Sequence, residues 1–174
     1  MTSMLKVLKY FGLAIVPLIF TACTVSYSFT GASIPIEAKT FTVRKIDNVA
    51  PTINPTLAND MQLALIDRML TQTRLNSVDF NGDLIYDITI TDYDVKPISI
   101  SGGEQSVASE NRLTIRVKVK FDNRYDPESS FERTFSQYAD YTSDSNFSDV
   151  ESGLVQTIIE QLTEDIFNAS VVNW

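Results

Sequence analysis

From Leu113 to Phe121, the residues Leu113, Ile115, Val117, Val119 and Phe121 alternate without a break with Thr114, Arg116, Lys118 and Lys120. A two-residue period of that length reads as a strand with one buried face and one wet face. The same period recurs on either side. Leu84, Tyr86, Ile88 and Ile90 alternate with Asp87, Thr89 and Thr91, and Phe131 and Phe135 point inward around Glu132 and Thr134. A shorter strand is predicted from Lys39 to Ile46, with Phe41 and Val43 set against Thr40, Thr42 and Arg44. Asp47 to Asn54, which holds Asn48, Pro51 and Asn54, reads as a loop.

Two segments follow the helical period instead. Leu57, Met61, Leu65 and Met69 recur four apart, widened by Ile66 and Leu70, with Asn54 as N-cap and Pro55 at the first helical position and an end near Arg74. Near the other end, Ser148 and Glu151 make an S-x-x-E capping box ahead of the stripe Val155, Ile158, Ile159, Leu162, Ile166 and Ala169. The opposite side carries Gln156, Glu160 and Glu164. The resulting order is β-α-β-β-β-α, which predicts an α+β two-layer sandwich: about four strands, mostly antiparallel, with both helices on the apolar face.

The beginning of the chain has a different character. Lys6 and Lys9 precede an apolar run from Tyr10 to Phe20, and Thr21-Ala22-Cys23 follows. Charge, apolar core and small residues in that order make a secretory signal, too short for a span that needs about 20 residues. Phe20-Thr21-Ala22-Cys23 resembles a bacterial lipobox, with Phe20 where Leu is usual. The expectation is a signal peptide over residues 1–22, lipidation at Cys23 and a single domain from 23 to 174. Two acyl chains on one thiol hold a protein to a membrane firmly. Another reading is a buried free cysteine behind an ordinary signal peptide.

Composition excludes much chemistry. The chain has no histidine and one cysteine, so Ser-His-Asp and Cys-His nucleophiles and His or Cys metal sites are ruled out. Neither GxxxxGK[ST] nor GxGxxG occurs, and Gly102-Gly103 stands alone in a loop. No cofactor or metal is expected. From residue 23 onward the chain carries 12 basic and 22 acidic residues, a net of −10, which disfavours nucleic acid and anionic membranes as general partners. The one catalytic pattern left is Asp92 and Asp94 flanking Tyr93, a conceivable acid pair. Solvent-facing acids near a strand end are the plainer account, and no enzyme is expected.

Cys23, Tyr27-Ser28-Phe29-Thr30-Gly31-Ala32-Ser33-Ile34-Pro35 and Ile53-Asn54-Pro55-Thr56-Leu57, set on this order of elements, resemble the LptE family of lipopolysaccharide-assembly lipoproteins. The resemblance implies a plug inside the LptD β-barrel that helps insert lipopolysaccharide into the outer leaflet, and it brings no catalytic residues. Thr24 to Ser28 holds no acid, which in that family fits a periplasm-facing anchor in the outer membrane. A generic envelope scaffold is the alternative.

One feature asks for a function independently of the family. Arg112, Arg116, Lys118 and Lys120 project from one face of one strand. They are candidate ligand contacts. The competing reading is cross-strand ion pairing, with Asp87 and Glu132 beside Lys120 and Asp140 near Arg112, while Arg116 and Lys118 face mostly Thr and Ser.

Overall fold

The computed structural model describes residues 34–52, 54–98 and 110–172. Cys23, the signal segment, Ile53, Gly102-Gly103 and all of the YSFTGASIP motif except Ile34-Pro35 lie outside them. The elements are β1 (Thr40–Val43), β2 (Asp47–Asn48), α1 (Leu57–Gln72), β3 (Asn76–Ser77), β4 (Leu84–Ile98), β5 (Glu110–Asn123), a 3-10 turn (Pro127–Ser129), β6 (Phe131–Thr142) and α2 (Phe147–Val171).

The α+β class holds, and six strands replace about four. They form one sheet in the order β3-β1-β4-β5-β6, with β2 also paired to β4. The long ladders β4–β5 and β5–β6 are antiparallel, as the alternation implies. The short ladders β1–β3, β1–β4 and β2–β4 are parallel. Between β1 and β4 the chain passes through α1, and a helical crossover returns the next strand in the same direction. β2 and β3 have two residues each, too few to show a period; β2 falls where a loop was expected.

One core joins the layers. Phe41, Leu84, Tyr86, Ile88, Ile90 and Leu113 to Phe121 at odd positions meet Leu57, Met61, Leu65 and Met69 of α1 and Val155, Ile158, Leu162 and Ile166 of α2, all buried. Each such aliphatic side chain, withdrawn from water, stabilises the fold by about 1.5–3 kcal/mol. Tyr86 is fully buried and donates its hydroxyl to Ser170 Oγ at 2.9 Å. Its burial pushes the phenol pKa up, which keeps it neutral.

Both helix starts differ from the expected ones. α1 begins at Leu57 after Thr56, and the Asn54 side chain still serves the turn, its Oδ1 accepting from the backbone N of Thr56 at 3.1 Å and of Leu57 at 3.2 Å. Pro55 and Thr56 form the entry turn, which shifts the helix by two residues. α2 begins at Phe147 with Asn146 as N-cap. Ser148 therefore lies inside the helix, no capping box forms, and Glu151 is released for another role.

A bulge in β4 decides which side chains face out. The β4–β5 register shifts between Ile90 and Asp92, which leaves Thr91 as the extra residue. Leu84, Tyr86, Ile88 and Ile90 point inward, and unbroken alternation would send Asp92 and Asp94 after them. The bulge puts Tyr93 inward instead, 4% exposed, and both aspartates on the open face.

Candidate functional site

The open face of the sheet is the side away from the helices. β5 contributes Arg112, Arg116, Lys118 and Lys120 to it in one row; the neighbouring strands answer the first three with an acid and β5 itself answers the fourth. Arg112 makes a two-pronged contact with Asp140 of β6, Nε to Oδ1 at 2.7 Å and Nη2 to Oδ2 at 2.8 Å, and its guanidinium lies 3.6 Å from the centre of the Tyr138 ring. Arg116 holds Asp92 at 2.9 Å, Lys118 holds Glu132 at 2.5 Å and Lys120 holds Asp122 at 3.3 Å. Arg44 with Asp87 at 2.7 Å and Lys96 with Asp94 extend the pattern.

Expectation and structure can be compared pair by pair. Arg112 meets Asp140, as cross-strand pairing predicts. Lys120 does sit beside Asp87 and Glu132 in register, but its ammonium reaches Asp122 two residues along its own strand. Arg116 has Ser136 on one side and Asp92 on the other; the bulge supplies that aspartate, so a Thr and Ser setting was not to be had. Lys118 lies between Thr89 and Thr134 as expected and reaches diagonally to Glu132. Asp92 and Asp94 share a face, and each is occupied by its own cation.

The row is thus a lattice of ion pairs. Exposed pairs of this kind contribute about 0–1 kcal/mol each, so their anchorage is weak where the side chain is free. Arg112 is the exception. The hydrogen bond from Arg112 holds the Asp140 carboxyl below the usual range, and the same bond raises the guanidinium pKa. The Lys118 hydrogen bond likewise lowers Glu132. Side-chain exposure separates the four: 34% for Arg112 against 52% for Arg116, 53% for Lys118 and 54% for Lys120. Arg116, Lys118 and Lys120 are thus the more exposed members of the row, each with one ion-pair partner, whereas Arg112 is held by two prongs and a ring.

A second feature was missed in the sequence. Glu151 of α2 accepts from the Tyr93 hydroxyl at 2.5 Å and from Asn54 Nδ2 at 2.9 Å, joining β4, the start of α1 and the start of α2 at one carboxylate. Burial first, then this bond, raises the Tyr93 pKa. The knot borders a groove of about 510 Å³ between the helices, walled by Asp60, Glu151 and Glu160 over Ala64, Val155 and Ile159. Among the described residues no group of three or more His, Cys, Asp or Glu is arranged to hold a metal, and no helix is long and apolar enough to cross a membrane.

Fold and surface together define an α+β domain whose open sheet face is an ion-paired lattice. Residues 38–170 match the LptE family, described as lipopolysaccharide-assembly, and the chain belongs to that family. Among solved structures, a hypothetical protein of Chlamydia trachomatis superposes with a TM-score of 0.51 at 9% identity, covering 78% of this chain and 100% of that one, which shows a shared fold. A minor lipoprotein of Acinetobacter baumannii is similar at 18% identity over 75% of this chain and 91% of its own, with a TM-score of 0.48. Rare lipoprotein B of Shewanella oneidensis is similar at 9% identity over 73% and 88%, with a TM-score of 0.41. No curated protein matches in sequence.

Proposed function

We propose that this chain, a member of a lipopolysaccharide-assembly family, is anchored through Cys23 to the inner leaflet of the outer membrane, seats in an LptD-like β-barrel and presents its open sheet face to lipopolysaccharide without catalysing a reaction. The observation that carries the ligand part is the row of cations on β5, three of them half-exposed and held by single ion pairs. Arg116 and Lys118 are the direct contacts in this reading, with Lys120 beside them and Arg112 fixing the strand. Arg offers a planar fork to phosphate oxygens and Lys a mobile point charge. Long-range attraction cannot recruit a polyanion to so acidic a chain, so the local row must exchange its own carboxylates for phosphates.

The pairing of every cation in the row favours a second reading, an envelope scaffold whose ion pairs only stiffen the sheet. Purification from native membranes in mild detergent separates the two. The plug emerges with a large β-barrel at equal stoichiometry, and a scaffold does not. Replacing Cys23 by Ala tests the anchor: the expected product is unprocessed or released from the membrane and takes up no labelled palmitate. A Cys23→Ala chain that is still cleaved and still sediments with outer membrane contradicts it.

A further inference from the structure

Tyr138 is the exception among the aromatic residues of the sheet. Every other one on the described strands, from Phe41 on β1 to Tyr141 on β6, turns toward the helix layer. Tyr138 stands on the open face with 48% of its surface exposed, so its ring adds nothing to the core. One side of that ring is taken. The Arg112 guanidinium lies 3.6 Å from its centre, a distance at which it can only be stacked over a face. The neighbours of Tyr138 on the open face are short: Thr114 is opposite it in register, and Ser136, two residues along β6, is opposite Arg116. A flat apolar surface is thereby left to solvent beside the row of cations.

The polar groups at its edge are held in place and only partly used. Arg112 has five N–H donors, and its Nε and Nη2 each give one to Asp140, at 2.7 and 2.8 Å, which leaves three. Each Asp140 oxygen accepts one of those bonds and keeps room for a second donor. The same contact holds the Asp140 carboxyl below the usual range, so it stays ionised and acts as an acceptor. The β5–β6 ladder runs past these residues without a register shift.

A pyranose ring fits this chemistry. Its C–H face is an apolar patch that can lie on an aromatic ring, and each of its hydroxyls both donates and accepts. A carboxylate and a guanidinium fixed beside the aromatic ring offer acceptors and donors to adjacent hydroxyls. A phosphate makes no use of the ring, and an acyl chain makes none of the Arg112–Asp140 pair. In lipopolysaccharide the sugars of lipid A carry acyl chains and phosphates on most of their hydroxyls, whereas the core pyranoses keep theirs free. Tyr138 lies one two-residue step, about 7 Å, from the position on β6 that faces Arg116, close enough for one molecule to reach both.

We propose that Tyr138, with Arg112 and Asp140 at its edge, is a saccharide subsite that stacks a core pyranose of lipopolysaccharide while Arg116 and Lys118 hold a phosphate. The proposal rests on the lipopolysaccharide reading and adds an uncharged contact to it.

Stacking and charge respond differently to salt, which separates the two. Labelled lipopolysaccharide with a complete core, and lipid A without core, are bound at equilibrium in detergent to the full chain and to its Tyr138→Leu and Tyr138→Trp variants at low and high salt. Thermal unfolding of each variant is the folding control. The wild type is expected to prefer the core-bearing ligand by about fivefold at both salt concentrations. Tyr138→Leu should bring the two ligands to equal affinity with lipid A binding unchanged, and Tyr138→Trp should keep the preference. A Tyr138→Leu chain that retains the preference overturns the subsite. So does one weakened equally toward both ligands, which would mark the ring as a support for the strand. A wild-type chain that binds lipid A with no preference for the core overturns the subsite and leaves the phosphate reading standing, while one that binds neither ligand ends both.

Discussion

At the β1 margin, buried side chains fasten strand to turn by hydrogen bonds, whereas at the β6 margin the strand is held by its ladder to β5 and by half-buried contacts with α2. Thr42 is buried at 2% exposure, against the alternation that would face it outward. Its Oγ1 donates to the Val78 carbonyl at 2.9 Å and accepts from the Gly82 N–H at 2.9 Å. Asp83 Oδ2 accepts from the backbone N of Lys39 at 2.9 Å, the N of Thr40 at 3.0 Å and the Thr40 hydroxyl at 2.8 Å. Gln62 of α1 donates to the Val43 carbonyl at 3.2 Å, taking up an acceptor at the end of β1. On β6 the hydrogen bond to the helix layer runs from Gln137 to Asp165 at 2.6 Å, beside the Tyr141–Phe147 ring contact and the partial packing of Phe131, Phe135 and Ala139 on the core. The closed margin is built for stability of the fold, and the open one leaves room for contacts from outside.

The largest expected effect follows from the closed margin. A Cβ at Gly82 would stand 2.7 Å from both Phe41 C and Thr42 N and 2.8 Å from Thr42 Oγ1. Two of those atoms are backbone, so β1 or the turn must move. Gly82→Ala should lower stability by about 3 kcal/mol, the upper range for overpacking, read as an earlier midpoint in urea unfolding. An unchanged midpoint would mean that the turn is not packed against β1.

Asp83→Ala comes next, at about 1–2 kcal/mol, since it orphans two backbone donors at a partly exposed site. The backbone bond from Lys39, the largest cause, holds its carboxyl below the usual range. A carboxylate lowered in the folded state stabilises above its unfolded value of about 4 and loses that contribution as pH falls through the folded one. Wild type and Asp83→Ala should therefore differ at pH 7 and converge toward pH 2. A gap that persists in acid would assign the effect to something other than the carboxylate.

The open margin should yield least. Arg112→Gln removes both prongs to Asp140 and the stacking on Tyr138, yet the site is exposed, and the loss of stability should be the smallest of the three. Chemical shifts of the Asp140 carboxyl, titrated by NMR, should return toward the ordinary aspartate range in that variant. A loss as large as that for Gly82→Ala would erase the contrast between the margins.

Much of this was legible before any coordinates. The periods at Leu113–Phe121, Leu84–Ile90, Leu57–Met69 and Val155–Ile166 located the long strands and both helices, because burial on one face forces repetition. What escaped was local or non-periodic. β2 and β3 are held by backbone bonds to β4 and β1 and by what lies around them, and two residues carry no pattern. The bulge at Thr91 follows from three-dimensional fit between β4 and β5, and it moved Asp92 to the side of Arg116. Ser148 and Glu151 had the spacing of a capping box, but the helix begins at Phe147, one residue before Ser148, and Glu151 is drawn to Tyr93 and Asn54 instead. The cation row was read correctly as one face of one strand; that every member would find a carboxylate depended on register, which spacing within a single strand does not reveal.

The central claim, that the half-exposed cations of β5 contact lipopolysaccharide phosphates, is tested most directly by equilibrium binding of labelled lipopolysaccharide to the full chain and to the Arg116→Gln/Lys118→Gln variant at low and high salt. Both substitutions leave the inward face of β5 untouched, so the variant should unfold within about 1–2 kcal/mol of wild type, the sum of two exposed pairs. The account predicts wild-type affinity that falls as salt rises, and a variant bound about tenfold or more weakly at low salt with a flatter salt dependence. A folded variant that binds as wild type, or a wild-type affinity indifferent to salt, would contradict it.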